Sequence, residues 1–324
     1  MISGMPLVRV GFASAALTLL AAAPAAAQQD ETALLLAGRP DTEAARALAP
    51  PQAPAEATTA DRLPTARLKA PRGFNVEVWA SGIPNAGALR ISDKGTVFVA
   101  SASGPGRVYA VVDKAGRREV KQVLSGLAPV VGIETGKDGL FVAAGKEILR
   151  YADIDANLDA APQPSRVSED LPGDATLGGA LRLGPDGKLY VAVGAACNAC
   201  EPAHDQAQIR RMATDGSGSE IVAQGVRRSL GLDFNPANKD LYFTDNGREW
   251  MSEDVPADEL NRLVRTGQHY GFPYCHQGDL RDSQFGWGRS CGEFVKPLAL
   301  LGPHTDVGGI HFYTGTMFPR QYRN

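Results

Sequence analysis

The densest set of residues able to do chemistry lies in one stretch: Asp245-Asn-Gly-Arg-Glu-Trp250, then Pro256-Ala-Asp-Glu-Leu-Asn261, then His269-Tyr-Gly-Phe-Pro-Tyr-Cys275. A predicted strand from Leu241 to Thr244 runs into the Asn-Gly turn, where backbone carbonyls can face one point. Such carbonyls, with carboxylates nearby, suit a hard cation such as Ca²⁺. The competing reading is a tight turn and a solvated acidic loop, because Asp-Asn-Gly is ordinary turn vocabulary. A second acidic run, Asp153-x-Asp155-x-Asn157-x-Asp159, spaces its oxygens like the start of an EF-hand but lacks Gly at the sixth position and Glu at the twelfth. It reads as a surface loop.

Other chemistries find little support. His204, His269, His276, His304 and His311 form no metal spacing such as His-Glu-x-x-His. There is no Gly-x-Ser-x-Gly elbow, P-loop or dinucleotide fingerprint. Four cysteines permit three pairings, of which the local one, Cys197 with Cys200 and Cys275 with Cys291, is expected. Glu201 stands where a c-type haem site needs His, and the absence of a second Cys-x-x-Cys argues against four-cysteine zinc.

Four repeats must position these residues. They read Gly87-Ala-Leu-Arg-Ile-Ser-Asp-Lys-Gly95-Thr-Val-Phe-Val-Ala, Gly132-Ile-Glu-Thr-Gly-Lys-Asp-Gly139-Leu-Phe-Val-Ala-Ala, Gly179-Ala-Leu-Arg-Leu-Gly-Pro-Asp-Gly187-Lys-Leu-Tyr-Val-Ala-Val and Gly231-Leu-Asp-Phe-Asn-Pro-Ala-Asn-Lys239-Asp-Leu-Tyr-Phe-Thr. Their turns recur about every 44 to 52 residues, the period of a propeller blade. Each phrase is a strand, a turn and a second strand. The second strands, such as Leu189 to Val193, are nearly continuous apolar runs, as strands covered on both faces should be. With almost no helical period, the chain is predicted to be all-β. A sandwich is the weaker alternative, since its strands do not repeat whole phrases at fixed spacing.

Arg9, an apolar stretch from Val10 to Leu20 and Ala25-Ala26-Ala27 form the pattern of a signal peptide over residues 1–27, with an uncleaved anchor as the alternative. Residues 28–71, rich in Ala and Pro, read as a flexible linker, leaving a globular domain over 72–324. No other segment is apolar enough to be a transmembrane span. A net charge of −3 without a Lys/Arg run argues against nucleic acid or an anionic membrane as partner. The four cysteines fit export to an oxidising compartment.

The run Gly184-Pro-Asp-Gly-Lys-Leu-Tyr-Val-Ala-Val-Gly-Ala-Ala-Cys-Asn-Ala-Cys200, with Asp215-Gly-Ser-Gly218, Gly225-Val-Arg-Arg-Ser-Leu-Gly-Leu232, Thr244-Asp-Asn-Gly-Arg248, Asp258-Glu-Leu-Asn261, Tyr270-Gly-Phe-Pro-Tyr-Cys275 and Phe312-Tyr-Thr-Gly…Phe318-Pro319, resembles the glucose/sorbosone dehydrogenase family. The resemblance covers about residues 72–324. It implies a six-bladed β-propeller, here about four and a half blades with the C-terminal part incomplete, and a periplasmic enzyme that oxidises a sugar or sugar aldehyde with pyrroloquinoline quinone (PQQ) and Ca²⁺, passing electrons to a periplasmic acceptor. Residue by residue, it implies that Arg227 faces the quinone with Arg228 and Asn246 beside it. It further implies that the carbonyls of Gly247 and Arg248 reach Ca²⁺, and that Glu259 and Tyr270 surround a second, structural cation. The sequence departs from the family where the catalytic base should be. Thr176 occupies that position, and Thr is no general base near neutral pH. Gly179 and Gly87 stand where the family often carries Arg, and Arg228 where Asn is usual. The rival expectations are a non-catalytic periplasmic propeller that binds a sugar or a protein, and a calcium-dependent sugar lactonase.

Overall fold

The computed structural model describes residues 38–39, 42–43, 57–101, 105–169, 171 and 179–323. The expected signal peptide and Thr176 lie outside them. Each repeated phrase becomes the inner hairpin of an antiparallel sheet. The first sheet holds β1 (Ala86–Ile91), β2 (Val97–Ser101), β3 (Gly106–Lys114) and β4 (Arg117–Leu127) in chain order. The second holds β5 (Val130–Gly136), β6 (Gly139–Ala144), β7 (Glu147–Tyr151) and β8 (Ser165–Ser168), and the third β9 (Leu181–Leu183), β10 (Leu189–Val193), β11 (Gln208–Met212) and β12 (Glu220–Gln224). The fourth opens with β13 (Leu232–Phe234), β14 (Leu241–Asp245) and β15 (Ala257–Arg262). The chain then leaves this sheet. It lays β16 (Gln268–His269) parallel to β12, turns through the hairpin of β17 (Cys275–His276) and β18 (Leu280–Arg281), and returns as β19 (Ala299–Pro303) against β15. The result is a β-propeller architecture, with four blades among the described residues.

The period-2 alternation of a strand explains how the blades stack. Along β6, Leu140, Val142 and Ala144 join the core facing the first blade, while Phe141 and Ala143 join the core facing the third. Along β10, Leu189 and Val191 face the second blade's core, whereas Tyr190 and Ala192 pack with Leu232, Leu241 and Phe243 of the fourth. Runs that looked uniformly apolar are therefore two interleaved faces. Truncating a side chain such as the fully buried Phe141 to Ala would cost about 3–5 kcal/mol.

Inner strands of neighbouring blades come so close that side chains cannot fit between them. A Cβ on Gly132 would stand 1.9 Å from the Gly179 carbonyl oxygen, which requires glycine at 132, while Gly179 itself has a φ of 88° that favours glycine. Gly231 meets residues 308–310 in the same way, so the segment after β19 runs beside β13. Within the expected linker, Thr58 to Leu68 sit beside the first blade. Both cysteine bridges form as expected, Cys197–Cys200 and Cys275–Cys291. Among the described residues no helix is long and apolar enough to cross a membrane.

Candidate functional site

The loop after β14, the crossing into β13 and the loop after β10 meet where the third and fourth blades adjoin. Asp245, the last residue of β14, holds the crossing: its carboxylate accepts the backbone N–H of Arg227 at 3.0 Å and of Arg228 at 2.7 Å. The Ala195 N–H donates to the Arg227 carbonyl at 2.9 Å, which ties the crossing to the third blade as well. Asn246 adds its N–H and Nδ2 to the Arg228 carbonyl, and Nδ2 also reaches the Val307 carbonyl at 2.9 Å. Asp258 of β15 accepts the Gly247 N–H at 2.8 Å and receives the N–H and hydroxyl of Thr305 on its other oxygen. Carboxylates thus replace the backbone partners that irregular chain ends lack.

The Arg227 guanidinium is buried beneath this frame. Nε donates to the Asn198 carbonyl at 3.2 Å and Nη2 to Asn198 Oδ1 at 3.0 Å. Nη1 donates to the carbonyls of Asn246 at 3.1 Å and Gly247 at 2.6 Å. Burial pulls the group's pKa down from the usual arginine value, while Asp245 and Glu249 oppose that pull. Arg227 therefore knits the site's own backbone rather than lying open to a ligand. Its neighbour Arg228 is the accessible cation, paired to Asp306 at 3.0 Å with its side chain about a third exposed.

Of the residues implied to hold metal, Gly247, Arg248, Glu259 and Tyr270 do converge. With Asp245, Asn246 and Arg227 they line one cavity of about 10 Å³, room for a single water-sized occupant. Their donor atoms are less uniform than the implied set. The Gly247 carbonyl is taken by Arg227. The Tyr270 ring packs edge-on against Phe243, and its hydroxyl donates to the Arg262 carbonyl at 2.8 Å, away from the cluster. The Arg248 side chain turns to Asp282 at 2.5 Å. Asp282 also binds His276 Nε2 at 2.9 Å; burial acts to raise its carboxyl, but bonds from His276, two backbone N–H groups and Arg248 hold it well below the carboxylate range. Glu259 remains, opposite Asp245 in the β14–β15 register. Burial pushes Asp245 up to about 7 and Glu259 up to about 8, and each is raised further by neighbouring carboxylates. Among the described residues, no three His, Cys, Asp or Glu side chains group as a metal-ligand set.

Three buried polar atoms in and beside this cluster are without a hydrogen-bond partner among the described residues: Arg228 Nε, Asn246 Oδ1 and Arg248 Nε. A buried donor and acceptor left unmade is costly unless a ligand completes them. A larger cavity of about 540 Å³ lies beside the first blade, lined by Leu63, Leu68, Trp79, Val97, Val99 and Val111 among others. Its lining is mostly apolar, with Glu77 its one charged residue, so the smaller, charged cluster is the candidate site. Asn198, Asp245 and Asp258 organise that cluster; the two aspartates lie in the stretches the sequence marks, without an assigned role, and the one available hint for Asn198 was its place between two cysteines.

Blades stacked about close-packed inner strands, with charged groups gathered at the strand ends, define a β-propeller with a polar site on one rim. Residues 147–324 match the Glucose / Sorbosone dehydrogenase family, and the chain belongs to that family. An uncharacterised protein of Borreliella burgdorferi is 26% identical over 273 residues, covering 80% of this chain and 71% of that one. Among solved structures, a family AA12 carbohydrate-active enzyme of Trichoderma reesei superposes with a TM-score of 0.66 at 19% identity, over 76% of this chain and 75% of that one. The holo PQQ domain of pyranose dehydrogenase from Coprinopsis cinerea gives 0.62 at 17%, over 76% and 72%. The PQQ-bound aldose sugar dehydrogenase of Streptomyces coelicolor gives 0.50 at 20%, over 67% and 68%. At such identities the likeness concerns the fold.

Proposed function

We propose that this protein is a periplasmic quinoprotein-type oxidoreductase that oxidises a sugar or sugar aldehyde, with PQQ and Ca²⁺ as cofactors and a periplasmic electron acceptor. The observation that carries the reading is the pair of unpartnered buried atoms, Arg228 Nε and Asn246 Oδ1, on the rim of a chain of this family. PQQ, when bound, supplies a quinone that accepts hydride from the substrate carbon. The chain's residues bind and orient. Arg228 offers positive charge and its free Nε to an anionic, oxygen-rich ring, and Asn246 Oδ1 accepts from a donor on the ligand. Arg227 holds the Asn246 and Gly247 carbonyls still, which keeps Asn246 aimed.

Glu259, with Asp245 across the strand pair, brings hard carboxylate oxygens of the kind that suit Ca²⁺, each of which already accepts one hydrogen bond and keeps a further lone pair. The Gly247 carbonyl does not fit that role while Arg227 occupies it, since a cation there would face the guanidinium charge. At the base position Thr176 cannot take a substrate proton at neutral pH, so the proton must leave by another group or by water. That one substitution favours a second reading, a non-catalytic propeller that binds a sugar. Residues 1–27 as an export signal, 28–71 as a linker and 72–324 as the working domain belong to the same proposal, which the two disulfides support.

Reconstitution with PQQ and Ca²⁺ followed by a dye-linked assay on an aldose panel separates the readings. Saturable dye reduction that depends on PQQ supports the enzyme. Sugar binding without dye reduction supports the non-catalytic reading.

A further inference from the structure

Between the two bridged cysteines, Asn198 is wholly buried although it is polar and sits in a loop. Its described side-chain bonds run to Arg227 and Glu249. Oδ1 accepts from Arg227 Nη2 at 3.0 Å and from the Glu249 N–H at 2.7 Å, and Nδ2 donates to the Glu249 carbonyl at 3.0 Å. Its backbone carbonyl takes Arg227 Nε at 3.2 Å. One residue thus grips the Nε/Nη2 edge of the guanidinium twice, while the Asn246 and Gly247 carbonyls grip Nη1 from the fourth blade. The grip requires the carbonyl and side chain of Asn198 to face the same way, a conformation that an open loop would rarely hold. Closing the loop with a covalent bond between Cys197 and Cys200 removes most of the alternatives.

We propose that Asn198, presented by the Cys197–Cys200 bridge, is the positioning residue for Arg227, and that through Arg227 it sets the carbonyl frame on which Asn246 and Arg228 meet the cofactor. The inference rests on the PQQ reading given above. Asn198 itself touches no ligand. Its effect passes through a rigid plane: the guanidinium cannot tilt without breaking bonds on both edges. It also explains why a two-residue disulfide loop stands at the junction of two blades rather than across a long loop, where a bridge would stabilise the fold more.

The test uses the full chain with Ca²⁺ and compares wild type, N198A, N198D, R227Q, the N198A/R227Q double variant and C197S/C200S. PQQ affinity is read by quenching of tryptophan fluorescence, with the thermal midpoint as a control. Loss of a charge-assisted bond predicts that N198A weakens PQQ binding about ten- to thirtyfold. C197S/C200S should do the same. N198D, which keeps acceptors for Nη2 and the Glu249 N–H but loses the donor to the Glu249 carbonyl, should recover part of the affinity, and in the R227Q background N198A should cost less than about twofold. Equal losses in both backgrounds would overturn the proposal and leave Asn198 a brace of the fold. A second readout needs no cofactor: exchange of the Arg227 Nη2 protons, which lose their Asn198 Oδ1 acceptor and are assigned by their disappearance in R227Q, should be at least about tenfold faster in N198A. If wild type does not bind PQQ, the cofactor reading fails, while that exchange rate still decides whether Asn198 holds the guanidinium; an unchanged rate would refute it.

Discussion

Two sets of charges, one on the first strand of each blade and one at the ends of β14 and β15, behave differently. Along the strands, Arg90, Glu134, Arg182 and Asp233 form a ladder that crosses all four blades: Arg90 Nε to Glu134 at 3.0 Å, Arg182 to Glu134 at 3.3 Å and to Asp233 at 2.8 Å, with Asp233 closing on the Phe312 N–H and His311. Each acid meets a base from the next blade. At the strand ends, Asp245, Asp258 and Glu259 crowd together, Arg227 is consumed by carbonyls, and Arg228 Nε and Asn246 Oδ1 are unmatched. In the ladder every charge has an opposite charge beside it, although Arg182 Nε, like Arg228 Nε and Asn246 Oδ1, lacks a hydrogen-bond partner among the described residues. At the rim the carboxylates crowd one another instead, and that imbalance is what distinguishes a candidate binding site from a structural ion network.

Breaking the ladder should have the largest effect on stability and none on binding. Glu134→Ala strands two partly buried arginines, so denaturant unfolding should show a loss of about 2–4 kcal/mol, with PQQ affinity of the folded protein unchanged. Asp245→Asn should cost less, about 1–3 kcal/mol, because its amide can accept from only one of the two backbone N–H groups it serves. It should nevertheless weaken PQQ by more than about tenfold, the reverse of the ladder's pattern. If both variants lose stability and binding in the same proportion, the distinction between the two regions fails.

The pH dependence sharpens the same comparison. Since Asp245 and Glu259 are raised to about 7 and about 8, the folded protein retains protons that the unfolded chain has already released. Stability without Ca²⁺ should therefore decline as pH rises from the ordinary carboxylate range toward about 8. Glu259→Gln should flatten that decline in thermal melts, and so should Ca²⁺; a melting temperature constant from pH 5 to 8 in metal-free wild type would contradict the raised values. The smallest effect is expected at His304, which bonds the Ser252 carbonyl and Glu249 near the surface. Those bonds raise its pKa, so its contribution is present at low pH and lost as pH rises. Screening limits it, and His304→Ala should change stability by no more than about 0.5 kcal/mol.

The inner hairpins were legible because each needs a turn with positive φ and a second strand covered on both faces, and both demands write themselves into a short phrase. The strand β19 was not, since the excursion through β16 to β18 separates it from its partner β15. The ladder had a signal that went unread: Arg90 and Arg182 stand three residues after Gly87 and Gly179, and Glu134 and Asp233 two after Gly132 and Gly231, so the sign alternates from blade to blade. At the rim, the gathering of Gly247, Arg248, Glu259 and Tyr270 followed from motif resemblance. What each side chain does there did not follow. The Tyr270 hydroxyl and the Gly247 carbonyl are claimed by partners, Arg262 and Arg227, that only folding brings near.

The most direct test of the central claim is a titration of PQQ into the full chain with Ca²⁺ present, followed by the same titration of Arg228→Gln. Completing a buried donor and acceptor predicts saturable binding near micromolar, about 8 kcal/mol, weakened at least about tenfold in the variant. Absence of saturable binding in wild type, or equal affinity in the variant, would contradict the assignment of the rim cluster as the cofactor site.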